Sequence, residues 1–162
     1  MRSMEYADRG PEYAEELQEN QYRKLREAFE EGSAVAYSLT VGEPILLEFH
    51  ATNGTWRSIS LGYGSIEPAT RGIRITTSRN PVVQPPGAGA EPLDIPIDGS
   101  LAPAVLLRGA DDTWLLTTSA AGFFLSVSGE GPPGDITLHA LHDINPAIDA
   151  RKAYIKARQR QT

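Results

Sequence analysis

The 162-residue chain reads as an all-β domain with a helical arm at each end, and three features predict it. Turn-forming residues recur every eight to twelve positions between about residue 33 and residue 143, with no helical period between them. The segments they separate are short and largely alternating. Outside this zone lie two stretches with helical spacing, each opened by a proline. Expected boundaries are 1–32 for the first arm, 33–143 for an antiparallel β-sandwich, and 144–162 for a basic C-terminal helix.

The first helix is expected from Pro11 to Glu31. Proline suits the first helical position, Glu12, Glu15 and Glu16 favour the positive end of the dipole, and Gly32 is a natural stop. Its apolar stripe is Tyr13, Leu17, Tyr22, Leu25 and Phe29, which is narrow for a helix of this length. Such a helix is marginal alone and needs a surface to lie on.

Strands follow. Val35, Tyr37, Leu39 and Val41 alternate with small or polar residues. The stretch Ile45–Leu61 then holds two apolar runs around Asn53-Gly54, the strongest short hairpin signal. A two-residue turn sets Ile45, Leu47 and Phe49 beside Trp56, Ser58 and Ser60. A three-residue loop over Thr52-Asn53-Gly54 pairs Phe49 with Arg57, Leu47 with Ile59 and Ile45 with Leu61. It stacks the aliphatics together, so it is the register expected.

Gly62, Gly64 and Pro68 break this run, and Gly72–Ser78 resumes a half-buried strand. Residues 79–92 form a Pro/Gly-rich loop. Leu93, Ile95 and Ile97 alternate with Asp94, Pro96 and Asp98, and Pro96 predicts an edge strand or an extended arm. Four more segments complete the body: Ala104–Arg108, Thr113–Thr118, Phe123–Ser128 and Asp135–His142. Eight or nine strands suit a jelly-roll-like or immunoglobulin-like sandwich. Asn145, as cap, and Pro146 open the last helix, which carries Ala147, Ile148, Ala150, Ala153, Tyr154, Ile155 and Ala157.

Charge is polarised. Residues 1–31 hold nine acidic and five basic side chains, residues 149–162 one acid against five bases, and the middle eleven acids against five arginines. Opposite charges on two slim helices predict that the helices pair, within one subunit or between neighbours. The residues expected to meet a partner are Tyr13, Leu17, Tyr22, Leu25 and Phe29 on the first helix, with Arg151, Lys152, Ile155, Lys156 and Arg158 on the last.

No cysteine is present, so disulfides and thiolate metal sites are excluded. The opening Met-Arg-Ser-Met-Glu-Tyr-Ala-Asp has no apolar core, which predicts no signal peptide, and no run reaches membrane-spanning length. Histidines at 50, 139 and 142 with Glu48 are the metal candidates, yet residues three apart on a strand point to opposite faces. They are expected to be ordinary surface histidines. Ser65 lacks the Gly-x-Ser-x-Gly context, the carboxylate pairs Asp94/Asp98 and Asp111/Asp112 sit in turns or on an edge, and Gly87-Ala-Gly89 lacks the lysine and helix of a phosphate cradle. Trp56, Tyr63 and Trp114 would make a sugar-stacking platform if exposed on one face.

The expected function is therefore a non-enzymatic structural protein without a cofactor, such as a tailed-phage head-decoration, spike-base or tail accessory protein. Its partners would be other protein subunits, including copies of itself, rather than membrane or nucleic acid. It would reside in the virion if phage-encoded and in the cytoplasm otherwise. The alternatives are a carbohydrate- or ligand-binding sandwich module and, third, a metal-dependent sandwich enzyme.

Overall fold

The computed structural model describes residues 2–31, 33–40, 43–64, 72–80, 90–109, 112–131 and 134–160, with α1 side chains from Glu16 onward. Helix α1 (Arg2–Glu30) precedes nine strands, and helix α2 (Asn145–Arg160) follows them. The strands are β1 (Ala36–Leu39), β2 (Leu46–Thr52), β3 (Thr55–Gly62), β4 (Arg74–Ser78), β5 (Glu91–Ile97), β6 (Ser100–Arg108), β7 (Thr113–Ala120), β8 (Phe123–Glu130) and β9 (Leu138–Leu141). They form one sheet in the order β1-β9-β5-β6-β7-β8-β4-β3-β2. All pairings are antiparallel except β5 with β9, which run parallel and share the single register pair Ile97↔Leu138.

The β-rich body and both terminal helices follow the sequence, and the strands add one feature it did not suggest. They belong to one continuous mixed sheet that curls, so that β1, at one end of the order, lies against β3 and β4 near the other. The Tyr63 hydroxyl accepts the Leu39 N–H at 3.1 Å across this closure. All four residues of β1 are buried, and Ser38 Oγ lies 3.0 Å from His139 Nε2 on neighbouring β9.

The hairpin satisfies the turn and the apolar pattern together. Asn53 (φ 53°) and Gly54 (φ 77°) make a two-residue turn flanked by Thr52↔Thr55, not the expected three-residue loop. The register then shifts between His50 and Ala51, leaving Arg57 as an extra residue in β3, so that Phe49 meets Ile59 and Leu47 meets Leu61. The bulge also turns Trp56 to the same interior as Ile59 and Leu61, and all three are buried.

Pro96 lies on a strand that is internal in the sheet order, contrary to the expected edge. The physical rule survives locally. β5 pairs with β6 from Glu91 to Ile97 but meets β9 at Ile97, so Pro92 and Pro96 stand where no neighbouring strand needs their N–H. Asp98 knits the short parallel junction. Its N–H donates to the Leu138 carbonyl at 2.9 Å, and its Oδ1 accepts the Ala140 N–H at 2.8 Å.

Two helix starts differ from expectation. α1 begins nine residues before Pro11. Arg2, Met4, Glu5, Ala7 and Arg9 are adequate helix formers, and the helix continues through the one ladder bond that proline removes. At α2, Asn145 is not the cap. The Asp143 carboxylate accepts from the Asn145 N–H at 3.0 Å, while the Ile144 carbonyl takes the first helical bonds. The core is contiguous and joins Tyr22 and Leu25 of α1, the inner residues of the strands, and Ile144, Ala147 and Ile148 at the start of α2.

Tyr63 generates a prediction at high pH. Burial pushes its phenol above the ordinary value of 10.0, against the opposing hydrogen bonds from Leu39 and Ser38. The unfolded chain therefore ionises first. The stability tied to the neutral phenol is complete below pH 10 and drains away as pH climbs through the raised folded value. Tyr63→Phe is expected to lose about 1–3 kcal/mol at pH 7, because the Leu39 N–H is left unpaired. Urea melts at pH 7 and pH 11 should show a smaller alkaline loss in the variant than in the parent.

Candidate interaction surfaces

The sheet's outer face is unusual for a sheet covered on one side. Such strands normally alternate apolar and polar residues. β4 obeys, with Ile75 and Thr77 inside and Arg74, Thr76 and Ser78 outside. β6 does not. Ala104 and Leu106 point into the core, while Leu101, Pro103, Val105 and Leu107 lie on the opposite face. The register sets Pro92 and Pro96 of β5 and Leu115 of β7 beside them. Leu101 is 70% exposed. This apolar outer patch was not singled out from the sequence. Its readable signal is the unbroken apolar run from Leu101 to Leu107, which lacks the polar members of a half-solvated strand.

The two helices pair within the chain. Glu19 Oε1 meets Lys152 Nζ at 2.7 Å, and Arg26 Nε donates to Asn145 Oδ1 at 2.8 Å. The two contacts are seven residues apart on each helix, in opposite directions, so α1 and α2 run antiparallel. The Lys152 ammonium also lies 5.4 Å from the Tyr22 ring centre, and Arg151 donates to the Ile45 carbonyl ahead of β2.

The residues expected to face a partner thus separate into groups. Tyr22 and Leu25 are buried in their own chain's core, and Phe29 is half-buried against it. Leu17 is 44% exposed, off the docked stripe. Arg151, Lys152 and Ile155 are half-buried, whereas Lys156 and Arg158 are exposed. The Arg158 guanidinium donates to the Tyr154 hydroxyl at 2.9 Å. The side chain of Tyr13 lies outside the described residues.

The other candidates resolve as follows. Trp56, Tyr63 and Trp114 are 3%, 4% and 4% exposed, so they form no stacking platform. Trp56 donates its indole N–H to the Ser33 carbonyl at 2.9 Å, and Trp114 packs over Gly129. Glu48 is bonded by Arg74 and lies 3.6 Å from His50 Nε2, while His139 is held at Ser38. Among the described residues no cluster of three or more His, Asp or Glu side chains could hold a metal. Ser65, Asp111, Gly87 and Gly89, and Val41 of the first predicted strand, lie outside the described residues.

Two open clefts flank the segment after α1. One, of about 330 Å³, is lined by Phe29, Val35, Tyr37, Asp98, Phe123 and His142 among others. Burial and then the Asp98 charge raise the Tyr37 phenol above its ordinary value. The other, of about 600 Å³, lies between the end of α1 and the β2–β3 hairpin. Arg79 spans part of it, with its guanidinium 5.5 Å from the Trp56 ring centre.

No protein-family model, no curated protein and no solved structure matches the chain.

Packing, rather than charge, is expected to hold α1 on the body. Leu25 is 1% exposed, so Leu25→Ala should cost about 2–5 kcal/mol. Glu19→Gln, at an exposed ion pair, should cost under about 1 kcal/mol. Chemical denaturation of the two variants measures both.

Proposed function

We propose that the chain is a non-enzymatic structural protein of a larger assembly, most specifically a tailed-phage virion component such as a head-decoration, spike-base or tail accessory protein. The observation that carries the assembly reading is the apolar outer face of β5, β6 and β7. Leu101 is exposed and Val105, Leu107 and Leu115 are half-buried on this face, and a subunit that is covered there buries them further. The length of α1 adds support. Continued at the register of its two contacts, α2 ends level with residue 11, so the first turns of α1 run past it. The phage attribution draws on the sequence: a β-body with arms, no cysteine and no catalytic motif.

In this reading the curled sheet works as a sandwich. The strands around β1, β9 and β5 form one leaf and those around β4, β3 and β2 the other. The ligand-binding alternative now draws on the cleft beside Tyr37, Asp98 and His142 and no longer on the tryptophans.

Mass spectrometry of purified particles from the producing source tests the virion assignment. The chain is expected there at a stoichiometric copy number. Its presence in the cell extract with absence from the particles overturns the assignment. For the surface itself, Leu101→Glu is expected to fold as the parent does and to reduce self-association or particle incorporation by at least about ten-fold, read by light scattering and by incorporation. An unchanged variant would show that the apolar patch is not the contact.

A further inference from the structure

β2 stands at the end of the sheet order, so along one side its main chain meets no strand among the described residues. Which groups face that side follows from the hairpin. A two-residue turn bonds Thr52 to Thr55, and main-chain groups alternate sides along a strand. The extra residue of the bulge lies in β3, so the alternation in β2 is unbroken. His50, Glu48 and Leu46 therefore point their N–H and C=O groups to β3, and those of Leu47, Phe49 and Ala51 point outward. Between Leu46 and Thr52 there is no lysine and no proline to guard the edge, although α2 packs against β2 with Arg151 at the Ile45 carbonyl.

We propose that this edge pairs with the same edge of a second copy of the chain, antiparallel, about a two-fold axis through Phe49. The inference deepens the assembly reading above and rests on it, naming the partner and the contact. Charge selects the register. Centred on Phe49, each Glu48 stands opposite the partner's His50, and Leu47 stands opposite the partner's Ala51. Centring on Glu48 instead sets two carboxylates face to face. The Phe49 register also pairs the outward-facing main-chain groups of Leu47, Phe49 and Ala51 with their counterparts. It stops short of Ile45, whose carbonyl Arg151 already occupies.

Two further observations fit. Directly opposite residues of an antiparallel pair project to the same side of a sheet, so the partner's Phe49 falls on the side of Phe49 itself. On that side a cleft of about 600 Å³ lies between the end of α1 and the hairpin, with Phe49 and Ala51 in its wall. On the other side Glu48, already bonded by Arg74, has His50 of its own chain at 3.6 Å, so a carboxylate and an imidazole lie together where the partner's pair would arrive. A self-complementary contact of this kind closes as a dimer and leaves the outer face of β5–β7 free for other neighbours.

The absence of cysteine supplies a direct test. In the proposed register the two Phe49 Cα atoms face each other as a bonded pair, about 5.5 Å apart, within the span a disulfide bridges. Phe49→Cys under mild oxidation is expected to give a covalent dimer, and Ser119→Cys, at an exposed position remote from that edge, is expected to give none. His50→Glu, an exposed substitution that sets carboxylates opposite each other, should weaken dimerisation at least about ten-fold, while His50→Lys should retain it. If Phe49→Cys fails to fold by circular dichroism, the His50 pair of variants decides alone. A wild-type oligomer that neither cross-links through position 49 nor responds to His50→Glu overturns the edge pairing and leaves the assembly reading standing. A wild-type chain that is monomeric at every concentration, with no incorporation into particles, overturns both.

Discussion

The fold depends on the burial of β1. Four residues, Ala36–Leu39, lie inside with both faces covered, and a buried main chain must have its polar groups paired. β9 supplies the ladder on one side. Thr40 extends that ladder by donating to the Thr137 carbonyl just beyond the strand, and on the other side the Tyr63 hydroxyl takes the Leu39 N–H. A flat sheet would leave β1 as a wet edge. Curling carries it against β3 and β4, and the curl in turn creates the interior that the tyrosine and both tryptophans fill. The helices then complete this interior with Tyr22, Leu25, Ile144 and Ile148.

Which features were legible depends on whether the deciding information was local. The Asn53-Gly54 turn, the alternation in β4 and the proline-opened final helix are local, and each appears close to where the residues put it. The hairpin register was not, because two local rules disagreed. Turn chemistry required two residues, and aliphatic stacking required a different offset. A longer loop would reconcile the two, whereas the protein keeps the turn and adds Arg57 to β3. Pro96 shows a similar division. The expectation of an edge was right about the proline's own unneeded N–H and wrong about the strand's place in the order, since β9 arrives from forty residues later.

The candidate surface was legible in principle and missed for a definable reason. Alternation marks a half-solvated strand, and β6 departs from it. The run from Leu101 to Leu107 was the informative departure. Trp56, Tyr63 and Trp114 posed the opposite problem. An aromatic residue reads equally as core or platform until its neighbours are placed, and the bulge at Arg57 decides which way Trp56 points.

The helix pair also changes what charge can be asked to do. Opposite charges on the first and last helices predicted that they pair, within one subunit or between neighbours. Glu19 with Lys152, and Arg26 with Asn145, draw them together within one chain. Their ion pair is exposed, so salt weakens it without removing the packing of Leu25 and Ile148 beneath. What remains outward on the body is an apolar sheet face and a strand edge, whose attraction comes from burial and main-chain hydrogen bonds. Association through the sheet face would vary little with ionic strength, or strengthen as salt screens the net charge of −6 carried by each copy. A salt response of that sign separates contacts made by the sheet from contacts made by the arms, because arms joined through opposite charge would part under the same conditions.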